Sequence, residues 1–336
     1  MAAVSFDLLI YWEVSPNLVF FAAMQAIKAN VKKQLIQLAK WAVVVAAFYF
    51  IYIQLHTSKA LDWTKLDTVI RQHSSGYILF VLSLSFWNRY FEILKWQNLV
   101  QSFRPLSVGQ SAAQVFGALT AGIFTPNGFG EYAGKALFFE KAKAKKIIFL
   151  NLMCNGIQMV ITVLFGGLGL WYFNAHYPVI SNQMLVLILG GTAGIITLLF
   201  LIKKISVKGY SLERLVQKIK KIPTHIHQKN ALLGLSRYLV FSHQYYFLFL
   251  LFGVDLPYLI LMSAITSIYF LSSSLPSFQF LDFAVKGGVA LFFCGLLGIN
   301  SWIPLLITSL MWFLNVVIPV VIGSYFVLNF KPLPAP

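Results

Sequence analysis

Two arginines and two acid–lysine pairs interrupt otherwise apolar sequence, and their order repeats along the chain. In each copy an Arg-Tyr pair precedes a proline, and after the proline an acid stands four residues before a lysine. A guanidinium can hold a phosphate through two parallel hydrogen bonds, and an acid and a lysine one helical turn apart can form an ion pair. The pattern therefore predicts anion binding with adjustable charge pairing. The residues are Arg89, Glu131 and Lys135 in the first copy, and Arg237, Asp282 and Lys286 in the second.

The composition places these charges in a membrane protein. The 336 residues are 59% hydrophobic and 11% charged, whereas soluble domains carry about 25% charged residues. Placing a charged side chain near the middle of a bilayer costs several kcal/mol. Because the charged residues recur in the same order in both copies, they predict a transport pathway built from internal repeats. The net charge of +16 lies in short stretches between apolar segments, which is typical of membrane topology rather than of nucleic-acid binding.

The sequence has no nucleotide-binding, zinc-binding or nucleophile-elbow motif. We therefore expect neither an enzyme nor a bound cofactor or metal. The two cysteines, Cys154 and Cys294, lie in apolar segments and are predicted to be buried side chains rather than a disulfide or metal ligands. The function must then reside in the membrane segments, with membrane lipids, above all anionic phospholipids, as the expected partners.

The apolar segments predict an all-α polytopic membrane protein with about eight spans. About 20 apolar residues suffice to cross a bilayer, and two shorter segments after the prolines are predicted to be re-entrant half-helices. We expect an N-terminal arm over 1–34, with Met24 as the suspected natural start, a transmembrane domain over 35–328 and a tail over 329–336. The predicted spans are 39–55, 77–98, 107–125, 147–173, 184–202, 232–253, 256–275 and 302–326, and the half-helices are 129–142 and 282–298.

Basic residues orient these spans. The loop 203–229 carries eight lysines and arginines against one acid, so we expect it to be cytoplasmic, whereas the loop 56–74 faces outward. Tracing the chain then gives two repeats, 77–173 and 232–326, which the span between them inverts relative to each other. Inverted repeats with broken helices recur in secondary transporters. We expect a bacterial cytoplasmic membrane, with both termini on the cytoplasmic side.

The residues around the first proline are typical of a tight turn that reverses the direction of the chain. Pro126 ends the incoming helix, and Asn127, Gly128 and Gly130 permit unusual backbone angles. Glu131 then lies in the first turn of the next helix, where the helix dipole favours negative charge. A capped helix start with a local ion pair is the alternative to a binding role, and the repeated order of charges favours binding.

Other polar residues have structural alternatives. Glu92 stands three residues after Arg89 and could form an ion pair with it within one helix. The side chain of Lys95 is expected to extend to the membrane interface. One helix face carries three amides, which favours interhelical hydrogen bonds over a pathway lining. These amides are Asn151, Asn155 and Gln158, and the nearby glycines expected to permit close helix packing are Gly166, Gly167 and Gly169.

The segment from Thr125 to Glu131 reads Thr-Pro-Asn-Gly-Phe-Gly-Glu. With this motif the chain resembles, over about 35–328, the transmembrane region of lysylphosphatidylglycerol synthases and their stand-alone flippase-like relatives. The second break departs from the family, with Phe278 and Gln279 in place of glycines and Asp282 in place of Glu. The resemblance implies movement of an anionic or aminoacylated phospholipid, or a lipid-linked sugar, between leaflets. No soluble transfer domain follows the last span, so synthase activity is not expected.

We therefore expect a lipid translocator in which Arg89 and Arg237 contact phosphate. The two acid–lysine pairs should lie close together beside a protein-lined or hydrated cavity and exchange partners as access alternates. Two alternatives stay open: a secondary transporter of a small polar or anionic solute, and a membrane subunit that holds a lipid without transporting it. A sealed cavity would favour the solute, and a groove open sideways would favour the lipid.

Overall fold

A computed structural model describes residues 63–125, 128–178, 212–275 and 281–330, with scattered positions over 34–52 and 181–194. All regular structure in these ranges is helical, which confirms the predicted all-α class. Several predicted features fall wholly or mostly outside the described residues. These are the N-terminal arm with Met24, the spans 39–55 and 184–202, Pro126 and Asn127, the second proline break and the tail.

Eleven α-helices make up the described part of the chain. They are α1 Trp63–Gln72, α2 Ser75–Val100, α3 Val108–Gly122, α4 Phe129–Ala136, α5 Ala144–His176, α6 Leu212–Lys220, α7 Thr224–Leu251, α8 Tyr258–Ser274, α9 Asp282–Leu296, α10 Trp302–Trp312 and α11 Ile318–Leu328. A 3₁₀ turn, Lys141–Lys143, precedes α5, and a π-helical stretch, Phe313–Val317, joins α10 to α11.

The first predicted half-helix, 129–142, is shorter in the structure. Helix α4 ends at Ala136, six residues early, because Phe139 turns inward. Its ring lies 6.1 Å from the ring of Phe103, in a buried apolar cluster. Helices α3 and α8 have 15 and 17 residues, about 22 and 25 Å, which is shorter than a bilayer core of about 30 Å.

Helices α2 and α7 pack side by side in opposite directions. Near one end Tyr77 donates to the carbonyl of Phe247, and near the other Asn98 donates to the carbonyl of Ile226. The two helices begin the two halves that the sequence predicts as repeats. The first helices of the two predicted repeats therefore meet antiparallel.

Two further helix pairs also join the two halves of the chain. Helix α3 of the first half packs on α11, the last helix of the second half. In the same way, α8 of the second half packs on α5, the last helix of the first half. Both contacts join a glycine to a threonine. A Cβ on Gly323 would meet the Oγ1 of Thr120 at 2.1 Å, and a Cβ on Gly169 would meet the Oγ1 of Thr266 at 1.9 Å.

Some charged residues are buried in the protein, while large apolar side chains are exposed on its surface. Lys95 and Lys135 are 0% and 1% exposed, whereas Trp171 on α5 and Tyr325 on α11 are 57% and 66% exposed. Among the described residues, two helical segments are long and apolar enough to cross a membrane, Lys141–His176 and Trp302–Leu328.

Candidate functional site

The centre of the α2–α7 contact is a buried carboxylate shared by two cations. Glu92 Oε2 lies 2.9 Å from a terminal nitrogen of Arg237 and 3.3 Å from Lys95 Nζ. Gln158 Oε1 on α5 accepts from both cations, at 3.3 Å from Lys95 and 3.5 Å from Arg237. The sulfur of Cys154 lies 3.6 Å from the other Glu92 oxygen. Lys135 of α4 also acts on Glu92, so helices α2, α4 and α7 contribute to one charged seam, which we define as Arg89, Glu92, Lys95, Lys135 and Arg237.

A chain of amides extends this seam toward α10 and α11. Asn88 Oδ1 accepts from Nε of Arg237 at 3.0 Å, while its amide nitrogen donates to Asn315 Oδ1 at 2.7 Å. Asn315 donates in turn to Gln244 at 3.1 Å, and Gln244 donates to Ser85 at 2.5 Å. Because an amide can donate and accept, this chain can transmit a change in the charge pairing from one half of the molecule to the other.

The π-helical stretch supplies the partner of Arg89. A terminal nitrogen of Arg89 donates to the main-chain oxygen of Asn315 at 2.6 Å. That carbonyl is available because the residue four positions later is Pro319, which has no N–H to donate to it. The Nε of Arg89 is buried without a hydrogen-bond partner among the described residues. A guanidinium with an unused buried donor is suited to receiving one more acceptor atom.

Lys135 is enclosed between α2, α4 and α5. Its Nζ donates to Asn151 at 2.7 Å and lies 4.5 Å from the centre of the Trp96 ring. Asn155, one turn further along α5, donates to the hydroxyl of Tyr132 at 3.2 Å. The three amides on this face of α5 therefore all bond to neighbouring helices, as predicted.

The turn before Glu131 brings α4 back against α3. Gly128 has a φ of +68°, which favours glycine, and the N–H of Gly130 donates to Thr125 Oγ1 at 2.7 Å. A Cβ on Gly130 would meet the Cα of Gly122 at 2.8 Å, so the two helices touch through their backbones. The arrangement places Glu131 in the first turn of α4, half-buried, where its charge acts on Arg89.

Asp282 and Lys286 form a second, separate pair at the start of α9. Their charged atoms lie 2.5 Å apart, and Lys286 also lies 5.8 Å from the ring centre of Tyr269. The pair borders a cavity of about 30 Å³, which is large enough for about two water molecules. The hydroxyl of Tyr269 and Nε1 of Trp312, both bordering this cavity, are buried without a partner among the described residues.

Asn315 also borders this cavity, so one residue joins it to the charged seam. The predicted proximity of the two acid–lysine pairs stays a prediction; among the described residues, Asn315 links the cavity beside one pair to Arg89. Arg237, Lys95, Lys135 and Arg89 lie near enough to Glu92 to act on its charge, and Glu131 acts on Arg89, whereas Asp282 and Lys286 line the cavity that Asn315 also borders. Asn127 is outside the described residues.

One expectation about α2 was wrong, and one alternative is not the closest pairing seen. The alternative was an ion pair of Glu92 with Arg89 within the helix, whereas the closest contacts of Glu92 are Arg237 and Lys95. Lys95 was expected to reach the interface, but it is fully buried because Glu92 and Gln158 provide two acceptors inside the protein. Sequence reasoning also missed Asn315, for which the proline four residues later was the available signal.

The charged seam has an excess of positive charge. Together with Glu131 it contains four cations and two carboxylates, which leaves two positive charges. Excess charge is costly away from water unless a counter-charge arrives. An anion is therefore the ligand that this arrangement can bind.

A lateral groove passes beside the seam. It has a volume of about 330 Å³ and is lined mostly by apolar residues of α5, α7 and α8. Leu168, Trp171 and Leu259 form its open rim, and Tyr238, the neighbour of Arg237, lies in its floor. The apolar groove thus borders helix α7 at the residue that follows Arg237, a cation whose side chain is 23% exposed.

Comparisons of the chain with family models, with curated proteins and with solved structures give no match.

Proposed function

We propose that the chain is an integral membrane protein that moves anionic or modified phospholipids, or lipid-linked headgroups, between leaflets. The observation that carries the proposal is the pairing of a positively charged seam with an apolar groove open to the side. A lipid needs both, since its phosphate requires cations and its acyl chains require continuous apolar surface.

Membrane insertion is supported by the reversed polarity of the molecule. Large apolar side chains cover the outward faces of α2, α5 and α11, while two lysines, a glutamate and several amides are buried within the protein. Intramembrane charges generally face the interior of a bundle and mark substrate pathways. The short helices α3 with α4, and α8 with α9, then serve as two re-entrant pairs.

An inverted repeat is supported by the helix contacts. Helices α2 and α7 meet antiparallel, and the exchange of partners by α3 and α8 has the pattern of a two-fold axis perpendicular to them. In transporters with this plan the cargo binds at the interface of the repeats, near the midplane. The charged seam lies at that interface.

In the proposed cycle the phosphate enters beside Arg237 and uses the free donor of Arg89. Glu92 and Glu131 compete with it for the same cations, and this competition allows release. A ligand shifts a conformational equilibrium only through unequal affinity for the two states. In this cycle the cations of the charged seam pair with Glu92 and Glu131 in one state and with the phosphate in the other, so the two states differ in their affinity for the lipid.

Transport of a small solute is less well supported by the geometry. The cavity next to Asp282 has about 30 Å³, enough for water but not for an organic solute. A subunit that holds lipid without moving it would use the same groove and seam. The assay below separates this last alternative from transport, because such a subunit alone would produce no exchange.

The test is a leaflet-exchange assay with labelled anionic phospholipid in vesicles that contain only the purified protein. Glu131→Gln keeps the shape of the side chain and removes one of the two carboxylates, so the phosphate should be held more tightly and exchange should slow about tenfold, the effect of roughly 1.4 kcal/mol. Glu140→Gln is the matched control, since Glu140 makes an exposed ion pair with Lys143 at 3.1 Å.

Thermal unfolding of both variants is measured in parallel. Slower exchange by a Glu131→Gln protein of wild-type stability supports the proposal. Wild-type exchange by that variant would mean that Glu131 only caps a helix, and absence of exchange by the unmodified protein would favour the lipid-holding subunit.

A further inference from the structure

A second cationic region lies at one end of the helix bundle, outside the charged seam. It is a pocket of about 420 Å³ between the start of α5 and the turn that joins α6 to α7. No acidic residue occurs among its described lining. Its four charged residues are Lys145, Lys146, Lys218 and Lys221. We call this the lysine pocket.

The fold, rather than local sequence, brings these lysines together. The two pairs are more than 70 residues apart in the chain. Their approach is fixed by His227, whose Nε2 lies 3.0 Å from the carbonyl of Ile219, and by Ile222, which packs against the buried cluster that contains Leu150. Lys146 is held 4.3 Å from the ring centre of Phe103. The pocket is thus part of a packed interface.

The lysine pocket differs from an ordinary solvated basic surface in two respects. First, it is concave, and Phe149, Leu150 and Ile222 provide an apolar floor. Second, its four like charges have no carboxylate beside them in the lining, whereas the nearby Lys143 is paired with Glu140. Like charges gathered in a concave site create a positive potential that attracts anions, and its cost is relieved when a multivalent anion binds.

Lysine ammonium groups act as mobile point charges and suit a compact anion that offers several oxygens. The volume lies within the range of about 300–1,000 Å³ that is usual for ligand sites. Basic pockets between helices at a membrane surface bind phosphorylated headgroups, and the basic helix α6 contributes one wall.

We propose that the lysine pocket binds a phosphorylated ligand carrying at least two negative charges, either a phosphomonoester lipid headgroup or a soluble diphosphate. This site is independent of the proposed lipid movement through the seam. It requires only the pocket itself, so its test stands if the translocation proposal fails.

The first experiment measures binding of inorganic pyrophosphate to the purified full-length protein by titration calorimetry. The double substitution Lys218→Gln/Lys221→Gln removes two of the four charges. At about fivefold per lysine, the effect of roughly 1 kcal/mol, affinity should fall about 25-fold. The matched control is Lys220→Gln/Lys229→Gln, which changes the net charge equally at two exposed lysines outside the pocket lining.

The second experiment distinguishes the two sources of the phosphate. Phosphatidic acid is mixed with phosphatidylcholine in nanodiscs, and its retention by the protein is measured by native mass spectrometry. Loss of phosphatidic acid in the pocket variant but not in the control identifies a lipid source, and loss of pyrophosphate binding alone identifies a soluble source. Absence of binding to both probes, or equal weakening in the pocket and control variants, would overturn the proposal.

Discussion

Replacing Glu92 with glutamine tests whether the charged seam holds the two halves of the molecule together. At an effective dielectric constant of about 20, charges 2.9 and 3.3 Å apart attract by roughly 6 and 5 kcal/mol. Part of this attraction offsets the cost of burying the carboxylate, and glutamine retains one hydrogen-bond acceptor. The expected net loss is that of a broken buried ion pair, about 3–5 kcal/mol.

The corresponding change in melting temperature follows from chain length. An unfolding entropy of about 2.1 cal/mol/K per residue gives roughly 0.7 kcal/mol/K for 336 residues, so Tm should fall by about 4–7 °C. The chain offers a convenient assay because both of its cysteines, Cys154 and Cys294, are buried. A thiol-reactive fluorophore therefore labels the protein as it unfolds, and Cys154 reports from beside Glu92 itself.

Glu140→Gln provides the control for the same chemical change in an exposed ion pair, where the expected loss is below about 1 kcal/mol. Adding Arg237→Gln to Glu92→Gln should restore part of the lost stability, because it removes one of the cations left without a counter-charge. The reasoning is refuted if Glu92→Gln lowers Tm no more than Glu140→Gln does.

Three further predictions concern packing, the π-helical stretch and topology. Gly169→Ala should destabilise the protein by about 1–3 kcal/mol through overpacking, while Gly167→Ala, which faces open space, should be neutral or stabilising; equal effects in the fluorophore assay would contradict the packing argument. Pro319→Ala supplies an N–H that competes with Arg89 for the main-chain carbonyl of Asn315, so lipid exchange should slow without loss of stability. Wild-type exchange by this variant would show that the Asn315 carbonyl is unimportant for exchange. Single cysteines at Thr68 and Gln217, both exposed, should be labelled from opposite sides of the membrane, and labelling from the same side would remove the inverted-repeat proposal.

The helices that could be predicted from the sequence are those with long apolar runs. Predicted segments 77–98 and 147–173 correspond closely to α2 and α5, while 232–253 matches α7 except that the helix begins eight residues earlier, at Thr224. The repeated Arg-Tyr pairs also indicated the region where the two halves meet. These features depend on local composition and on periodicity, both of which a single sequence contains.

The partners of the charged groups could not be predicted in the same way. Whether Glu92 pairs with Arg89, Lys95 or Arg237 depends on which face of α2 packs against α7. Helix α7 lies about 130 residues later in the chain, so the local sequence does not contain this information. Burial of Lys95 likewise depends on Gln158 from a third helix. Local spacing favours a partner on the same helix, and tertiary packing overrides that preference when a better acceptor is present.

The glycine–threonine contacts have a consequence for how the chain divides into mechanical parts. A glycine that packs directly against a threonine of the neighbouring helix leaves no room for the two helices to slide freely, so α3 should move with α11 and α5 with α8. Each rigid unit then combines helices from both halves of the sequence. Neither half-chain should fold alone, yet separately expressed fragments ending at 178 and beginning at 212 should assemble, because each supplies the surface that the other lacks.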